Sequence, residues 1–366
     1  MCLAPMVASA KAGPSAKRPA PSARAHVNIA KLAAGVSSSF FITDTGLVFA
    51  AGSNASGQLT GGPLSNQRSA IYRRKDVLEL AAGERHSLYI DARHDLWAVG
   101  ENGAGQLGDG TTDSRTSPVK IASGVAGVAA GDETSFFIKQ DGTCWAMGRN
   151  TYGQLGDGTT SDRKRPVKIA SGVTAVAASA RHTLLLERDG SLWGMGHGAD
   201  YELGDGTTQA KSAPVKLATG VTSMAAGGGY TLFVKQDGTL WGMGFNGGGQ
   251  LGDGTVYSAH RPKKLLDGVA QVFAGKHHTL ALLRDHTLWA SGVNEHGALG
   301  TGDSANALTF EKVLDHVAQV RAGGYHTLVL LEDGAVKVTG SNGSGQLGLG
   351  LGQSAVDHFT RLEAFH

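Results

Sequence analysis

The chain has 366 residues, 41% of them hydrophobic, with 55 glycines and a formal net charge of +2. That hydrophobic content supports a continuous core, but no stretch approaches the roughly 18 consecutive apolar residues of a membrane helix. Glycine stands at about twice its usual share of ~7% without collagen's three-residue period, and the two cysteines, Cys2 and Cys144, are too few for a disulfide framework.

Residues 1–26 read as a basic, disordered tail. Lys11, Lys17, Arg18, Arg24 and Lys31 precede the first carboxylate, Asp44. Removing those five from 33 basic residues leaves 28 against 31 acidic ones, so the body sits at −3. A body of that sign lacks the electrostatic footprint of a nucleic-acid binder, and nucleic acid is not expected as its main ligand. The acid-free Ala/Ser/Arg composition would suit organelle targeting, while Pro5, Pro14, Pro19 and Pro21 oppose an amphipathic helix. A cytoplasmic or nuclear protein is the favoured expectation.

From residue 27 to 366 one block returns seven times. The anchor Leu32-Ala-Ala-Gly35 recurs as quartets beginning at Leu80, Val128, Val176, Met224, Val272 and Val320, every step being 48 residues. A period in this range marks units that bury their apolar faces only against neighbours. The repeat from 224 to 271 serves as type. Val221–Ala226 is a short apolar run, and Thr231–Lys235 is rich in strand-forming residues. Asp237-Gly238 is a hairpin turn. Leu240–Met243 is a third strand, and after a glycine-rich loop Arg261–Leu265 is a fourth extended piece. Four antiparallel strands per unit predict an all-β fold, a seven-bladed β-propeller expected to be monomeric.

Recurring positions carry physical reasons. Gly52, Gly100, Gly148, Gly196, Gly244, Gly292 and Gly340 follow the third strand in all seven repeats, and Leu59 through Leu347 plug the following loop at the same interval. All five tryptophans (Trp97, Trp145, Trp193, Trp241 and Trp289) share one register and are expected to wedge between blades. Cys144 takes a place held by leucine in sister repeats, the place of a small buried hydrophobe. Pro118, Pro166, Pro214 and Pro262, with their neighbouring Lys and Arg, protect an outer edge strand. Arg163–Arg165 and Arg261–Lys264 are therefore rim residues before they are basic patches.

With Gly105-Gln-Leu-Gly-Asp-Gly-Thr-Thr112, Gly153–Thr160, Gly249–Thr255 and the Asp-Gly-Ser-Leu-Trp193 segment in place, the chain resembles the regulator of chromosome condensation repeat family. The resemblance runs from about Val27 to the C-terminus and implies seven blades. Family members include exchange factors for Ran-type GTPases, a plant ultraviolet-B photoreceptor, ligase scaffolds and a secreted β-lactamase inhibitor, so function does not follow from shape. The exchange factors use a wedge inserted in one blade, for which uniform 48-residue steps leave no room. The photoreceptor would need tryptophans after the anchor, where this chain has none.

Candidate chemistry dissolves into the repeat. Gly242–Gly247 matches a dinucleotide fingerprint, but a loop and strand follow instead of a helix. His86, His182, His278 and His326 share one register and are expected to form a polar ring bonded to neighbouring backbone, not a metal site. Asp109–Asp113 and Asp157–Asp162 read as self-bonded turns without calcium-loop spacing. Asn54 and Asn342 begin glycosylation sequons, yet the asparagine recurs at Asn102, Asn150, Asn246 and Asn294 without one. No catalytic residue, cofactor or metal is expected, and an enzyme is not.

Variation concentrates in the loops after the first and third strands, which share one face. They offer Glu84, Arg85, Glu101, Asp132, Glu133, Arg149, Tyr152, Arg181, His197, Tyr201, Tyr230, Phe245, Lys276, His277, Glu295, His296 and Tyr325. Aromatics, arginine and mixed charge on a rigid ring suit protein recognition. Repeat four departs most, with Ser179, Gly198, Tyr201 and Glu202 in place of Gly, Asn, Gly and Gln. Tyr201 cannot freely adopt a glycine backbone, so its loop is expected to take another path. The expected function is a non-catalytic scaffold binding a partner protein through this face. The alternatives are a regulator of a small GTPase, or a secreted inhibitor or lectin-like binder.

Overall fold

A computed structural model describes residues 27–350 and 352–365; the expected basic tail, residues 1–26, lies outside them. Seven four-stranded antiparallel sheets form a propeller ring, each taken from one continuous segment in the order inner strand to outer strand. Blade 1 spans residues 29–74, blade 2 77–123, blade 3 125–170, blade 4 173–218, blade 5 221–266, blade 6 269–314 and blade 7 317–361. No described helix is long and apolar enough to cross a membrane.

Blade 6 shows how sequence becomes strand. Val269–Ala274 lines the centre, His278–Leu283 lies behind it, Leu288–Gly292 follows, and Ala307–Leu314 forms the rim. His278–Leu282 is buried throughout, because both faces of the second strand meet neighbouring blades; the outer strand is mostly exposed. This gradient explains why β-branched and leucine runs fill the second strand while Pro, Lys and Arg mark the fourth. The tryptophans wedge as expected. Trp97 packs against the blade 1 cluster around Phe40 and Leu59, Trp145 against blade 2, Trp193 against blade 3, Trp241 against blade 4 and Trp289 against blade 5. Cys144 is fully buried in one such cluster, and burial pushes its thiol up to about 12.

The glycine-rich loop is a latch. The recurring asparagine accepts the amide N–H of the plug leucine, as in Leu107 N to Asn102 Oδ1 and Leu251 N to Asn246 Oδ1, each 2.9 Å. These asparagines are fully buried, Asn54 and Asn342 included, so they are loop staples and not glycan acceptors. Beyond the leucine the loop pairs with the outer strand of the next blade: Gly110 N donates to Lys164 O and Gly254 N to Leu308 O, both at 2.8 Å. The last loop does the same to the first blade, where Gly350 N donates to Arg68 O at 2.7 Å. Phe365 joins that seam, packing on Phe41 and Phe49. The ring therefore closes by the same latch, with no strand exchanged between its ends.

The aspartate loops are the self-bonded turns expected. Asp109 accepts the Thr111 amide and hydroxyl and is bound by Arg115; Asp157 repeats this with Thr159 and Arg163. Burial opposes ionisation of Asp109, but those donors outweigh it and hold the carboxyl down to about 2. Arg163 is thereby committed to its own loop.

Candidate functional site

The loops that end the first strands and those that leave the third strands meet on one face. Backbone bonds tie them together, as in Arg149 N to Glu133 O at 3.0 Å and Phe245 N to Gly229 O at 2.9 Å. The Asp-Gly hairpins and the links between blades meet on the opposite face, where Val173 N donates to Gly142 O at 3.2 Å. At the centre of the variable face opens a funnel of about 590 Å³. Small Ala and Gly residues line its wall, and Asp132, Arg181, Asp200, Phe245, Lys276 and His277 supply its chemistry.

Beneath the funnel mouth the histidine register forms an inter-blade relay. His86 Nε2 meets Ser135 Oγ at 2.8 Å, His182 Nε2 meets Thr231 Oγ1 at 3.0 Å, His278 Nε2 meets Thr327 Oγ1 at 3.3 Å, and His326 Nε2 meets Ser39 Oγ at 3.0 Å. The Nε2 partners are hydroxyls of the next blade, and backbone of that blade, at Asp132 and Thr134 for His86 and at Ser38 for His326, also borders the rings as expected. Ser135 and Thr327 in turn donate to backbone carbonyls of the intervening latch loops, Gln106 and Ala298. All four rings are buried, and burial pulls their pKa values down to about 4 for His86 and His326 and about 3 for His182 and His278. They are neutral girders.

Tyr230 belongs to this relay. It is fully buried, and its hydroxyl donates to His278 O at 2.6 Å in the next blade. It is thus removed from the surface set to which the loop reading assigned it. Its position is the histidine register of blade 5, where an aromatic ring with one donor spans the same gap.

The remaining candidates fall into three groups. On blades 2 and 3, Arg85 lies 3.9 Å from Glu84 and 3.7 Å from Glu101, and Arg149 clasps Glu133 with both ends of its guanidinium, Nη2 to Oε1 being 2.9 Å. Across the funnel, Lys276 of blade 6 reaches Asp132 of blade 3 at 3.4 Å, an ion pair that bars the mouth. An aromatic run crosses blades 5 to 7, with Phe245 6.3 Å from His277, His277 6.0 Å from Tyr325, and Tyr325 5.4 Å from His296. Burial, with Lys276 beside it, lowers the His277 pKa, which keeps that ring neutral. Glu295 stands exposed beside His296 at 3.7 Å.

Blade 4, with Tyr152 of blade 3, supplies the third group. Tyr152 packs edge-on to His197 at 4.9 Å, with the Arg181 guanidinium 5.8 Å from the Tyr152 ring. Tyr201 corrects an expectation. Its loop follows the path of its siblings, with Gly204 N donating to Tyr201 O as Gly108 N does to Gly105 O. Tyr201 accepts the left-handed backbone (φ 63°) where the others have glycine, and its ring stacks on His260 of blade 5 at 3.8 Å. A left-handed tyrosine is strained by about 1 kcal/mol or more, and a stacked aromatic pair returns roughly 0.5–1.5 kcal/mol. Tyr201→Ala, which keeps the strain and loses the stack, is expected to be less stable than Tyr201→Gly by about 1 kcal/mol. Equal urea midpoints for the two variants would show that strain is absent.

Two residues of this blade were not singled out for a site. Asp200 and Glu202 join His197, with His197 Nδ1 2.6 Å from Glu202 Oε1 and 3.9 Å from Asp200 Oδ2. Aligned at 48-residue intervals, Asp200 matches Ser56, Ala104, Tyr152, Gly248, His296 and Ser344. A column-by-column comparison of repeat four would have exposed it.

A ring of seven blades with one regular and one variable face defines a β-propeller. The chain belongs to the RCC1-like domain family: that family's sequence model matches residues 8–266, and models of the regulator of chromosome condensation (RCC1) repeat match residues 269–298, 285–330 and 317–346. Comparison with curated proteins finds no match. Among solved structures, human WBSCR16 is similar at 23% identity over 83% of this chain and 87% of that one, with a TM-score of 0.75. Prp20p of Saccharomyces cerevisiae, described with its binding properties to Gsp1p and histones, is similar at 22% identity, covering 88% of this chain and 87% of that one, with a TM-score of 0.78. Yeast RCC1 (Prp20) bound to Kap60 gives 20% identity, 97% and 91% coverage and a TM-score of 0.78.

Proposed function

We propose that this protein is a non-catalytic interaction module that holds a partner protein against the variable loop face. The observation carrying this reading is the contrast between the two faces. One repeats the same hairpin turn in all seven blades, with Gly or His at positive φ, and joins consecutive blades by short links, while the other presents half-exposed Arg149–Glu133 and Arg85–Glu101 pairs beside the Phe245–His277–Tyr325 run. Aromatic and arginine anchors bordered by solvated charge are the composition of recognition surfaces. Exposed ion pairs add little to folding, roughly 0–1 kcal/mol, so Arg85 and Arg149 are available to a partner at small cost to the ring.

The test pairs each face with its own variant. A partner recovered by affinity capture is expected to bind Arg149→Ala or Phe245→Ala at least about 30-fold more weakly, the loss of an interface anchor worth about 2 kcal/mol. Lys235→Ala, beside the hairpins of the opposite face, leaves affinity unchanged. Equal binding by all three variants would remove the variable face from consideration.

Regulation of a small GTPase through the same face is the second reading, favoured by the likeness to Prp20p, a protein described with its binding to Gsp1p. Release of a fluorescent guanine nucleotide from a panel of purified small GTPases separates the two. Accelerated release supports the regulator, and unchanged release across the panel favours the scaffold.

A further inference from the structure

The blade 4 latch carries a set of donors that no other blade has. In five sister loops a glutamine occupies the position of Glu202, its carbonyl oxygen accepting an amide N–H two residues back, as in Gln106 Oε1 from Ala104 N at 2.9 Å. In two of them the amide group donates to a serine five residues back: Gln58 Nε2 to Ser53 Oγ is 3.1 Å, and Gln346 Nε2 to Ser341 Oγ is 3.2 Å. In blade 4 all the participating residues change together. Glu202 Oε2 accepts Asp200 N at 2.9 Å, and the serine position has become His197, whose Nδ1 lies 2.6 Å from Glu202 Oε1.

The exchange leaves a charge imbalance. Glu202 is fully buried, and among the described residues neither Glu202 nor Asp200 has a Lys or Arg within 4.0 Å. Two carboxylates thus share one imidazole, and even a protonated His197 leaves the group one charge short. A buried, undercompensated carboxylate is costly, and a cation relieves it. Room for one is provided: Asp200 lines the funnel, and the residue facing it is Gly229, where a Cβ would come within 3.0 Å of Asp200 Oδ2. Every other repeat places a side chain at that position, namely Ser37, Arg85, Glu133, Arg181, His277 and Tyr325.

We propose that His197, Asp200 and Glu202 form a binding site for a divalent metal ion of the zinc class, open to the funnel. The ligand atoms all lie within 4.8 Å of one another. Zinc bonds of about 2.0–2.2 Å require donors separated by about 3.4 Å in a tetrahedral set, so the 2.6 Å pair would open by about 0.8 Å and the 3.9 Å pair close by about 0.5 Å. One imidazole with two carboxylates is a zinc-type donor set that leaves a fourth position for water. The ion takes the place of the proton between Nδ1 and Oε1, so His197 binds as the neutral ring protonated at Nε2. The edge-on Tyr152 ring fixes the imidazole plane, as outer groups do around metal sites.

The experiment titrates the metal-free 366-residue chain with Co²⁺, followed by its visible ligand-field absorption, and with Zn²⁺ by calorimetry. The same titrations are made on Glu202→Gln and His197→Ser, substitutions that restore residues of sister repeats and preserve the latch. The expected result is one saturable equivalent in the parent chain, with affinity reduced at least 100-fold in both variants while their circular dichroism and urea midpoints are retained. Absence of an equimolar site in the folded parent chain, or an affinity in either variant equal to that of the parent, would overturn the assignment.

Discussion

Lowering the pH from about 7 to 5 is expected to remove on the order of 4–8 kcal/mol of folding stability, before most carboxylates begin to titrate. The cause is the buried relay. His86, His182, His278 and His326 have no exposed ring surface to speak of, and burial depresses their pKa values to about 3–4. In the unfolded chain the same rings take up protons near pH 6.5. Below that value the unfolded state binds more protons than the folded one, so stability falls with pH. The loss continues until the folded histidines titrate themselves, near pH 4 to 3. Each ring contributes about 1–2 kcal/mol by pH 5, a large share of the roughly 5–15 kcal/mol that holds a typical domain. The window is distinct from that of Asp109, whose depressed value near 2 makes its contribution disappear only under stronger acid. Urea midpoints measured from pH 7 to 5 read the slope directly. His86→Tyr, which borrows the solution used by Tyr230, is expected to reduce that slope by about a quarter. A flat profile over this interval would mean that the rings are not neutral girders.

The period of 48 residues carried most of the fold. It placed the strands, the plug leucines and the tryptophan wedges, because each is a local pattern repeated until its meaning is unambiguous. It could not show how the ring closes: the last latch is a glycine-rich loop like those of the preceding blades, and only its contact with Arg68 and Ala70 distinguishes it. The ion pair between Asp132 and Lys276 was equally hidden, since it joins residues three repeats apart that meet only across a closed ring. Tyr230 reads as a surface residue by loop membership, yet it shares the column of His86 and His182, and columns outrank loop membership. Tyr201 failed for a different reason. Backbone strain alone argues against the common path, whereas stacking on His260 offsets it locally. The His197–Asp200–Glu202 group shows the complement of this rule, because repeats make departures informative only when whole columns are compared.

Gly292→Ala is expected to destabilise the propeller by at least about 3 kcal/mol, the cost of a forbidden backbone plus a backbone collision. Gly292 closes the third strand of blade 6 at the point where the register with the outer strand shifts, between Ala290 and Gly292. Its φ of 108° lies where side chains are rarely tolerated. A Cβ there would stand 2.5 Å from His277 O and 2.9 Å from His278 Cα, both backbone atoms that cannot swing away, and 3.1 Å from Gln250 Cα of the adjoining latch. Three segments therefore converge on one hydrogen atom: the turn after the inner strand, the head of the histidine strand and the loop of the previous blade. Relief would require moving the His278 backbone, which would in turn pull its ring from Thr327 Oγ1 and loosen the seam to blade 7. The same substitution at Gly103, where a Cβ meets nothing within 4 Å, is expected to change stability by less than about 0.5 kcal/mol. Chemical denaturation of the two variants side by side measures the difference. Comparable midpoints for both would mean that glycine at the strand end is a tolerance of the fold and not a requirement of it.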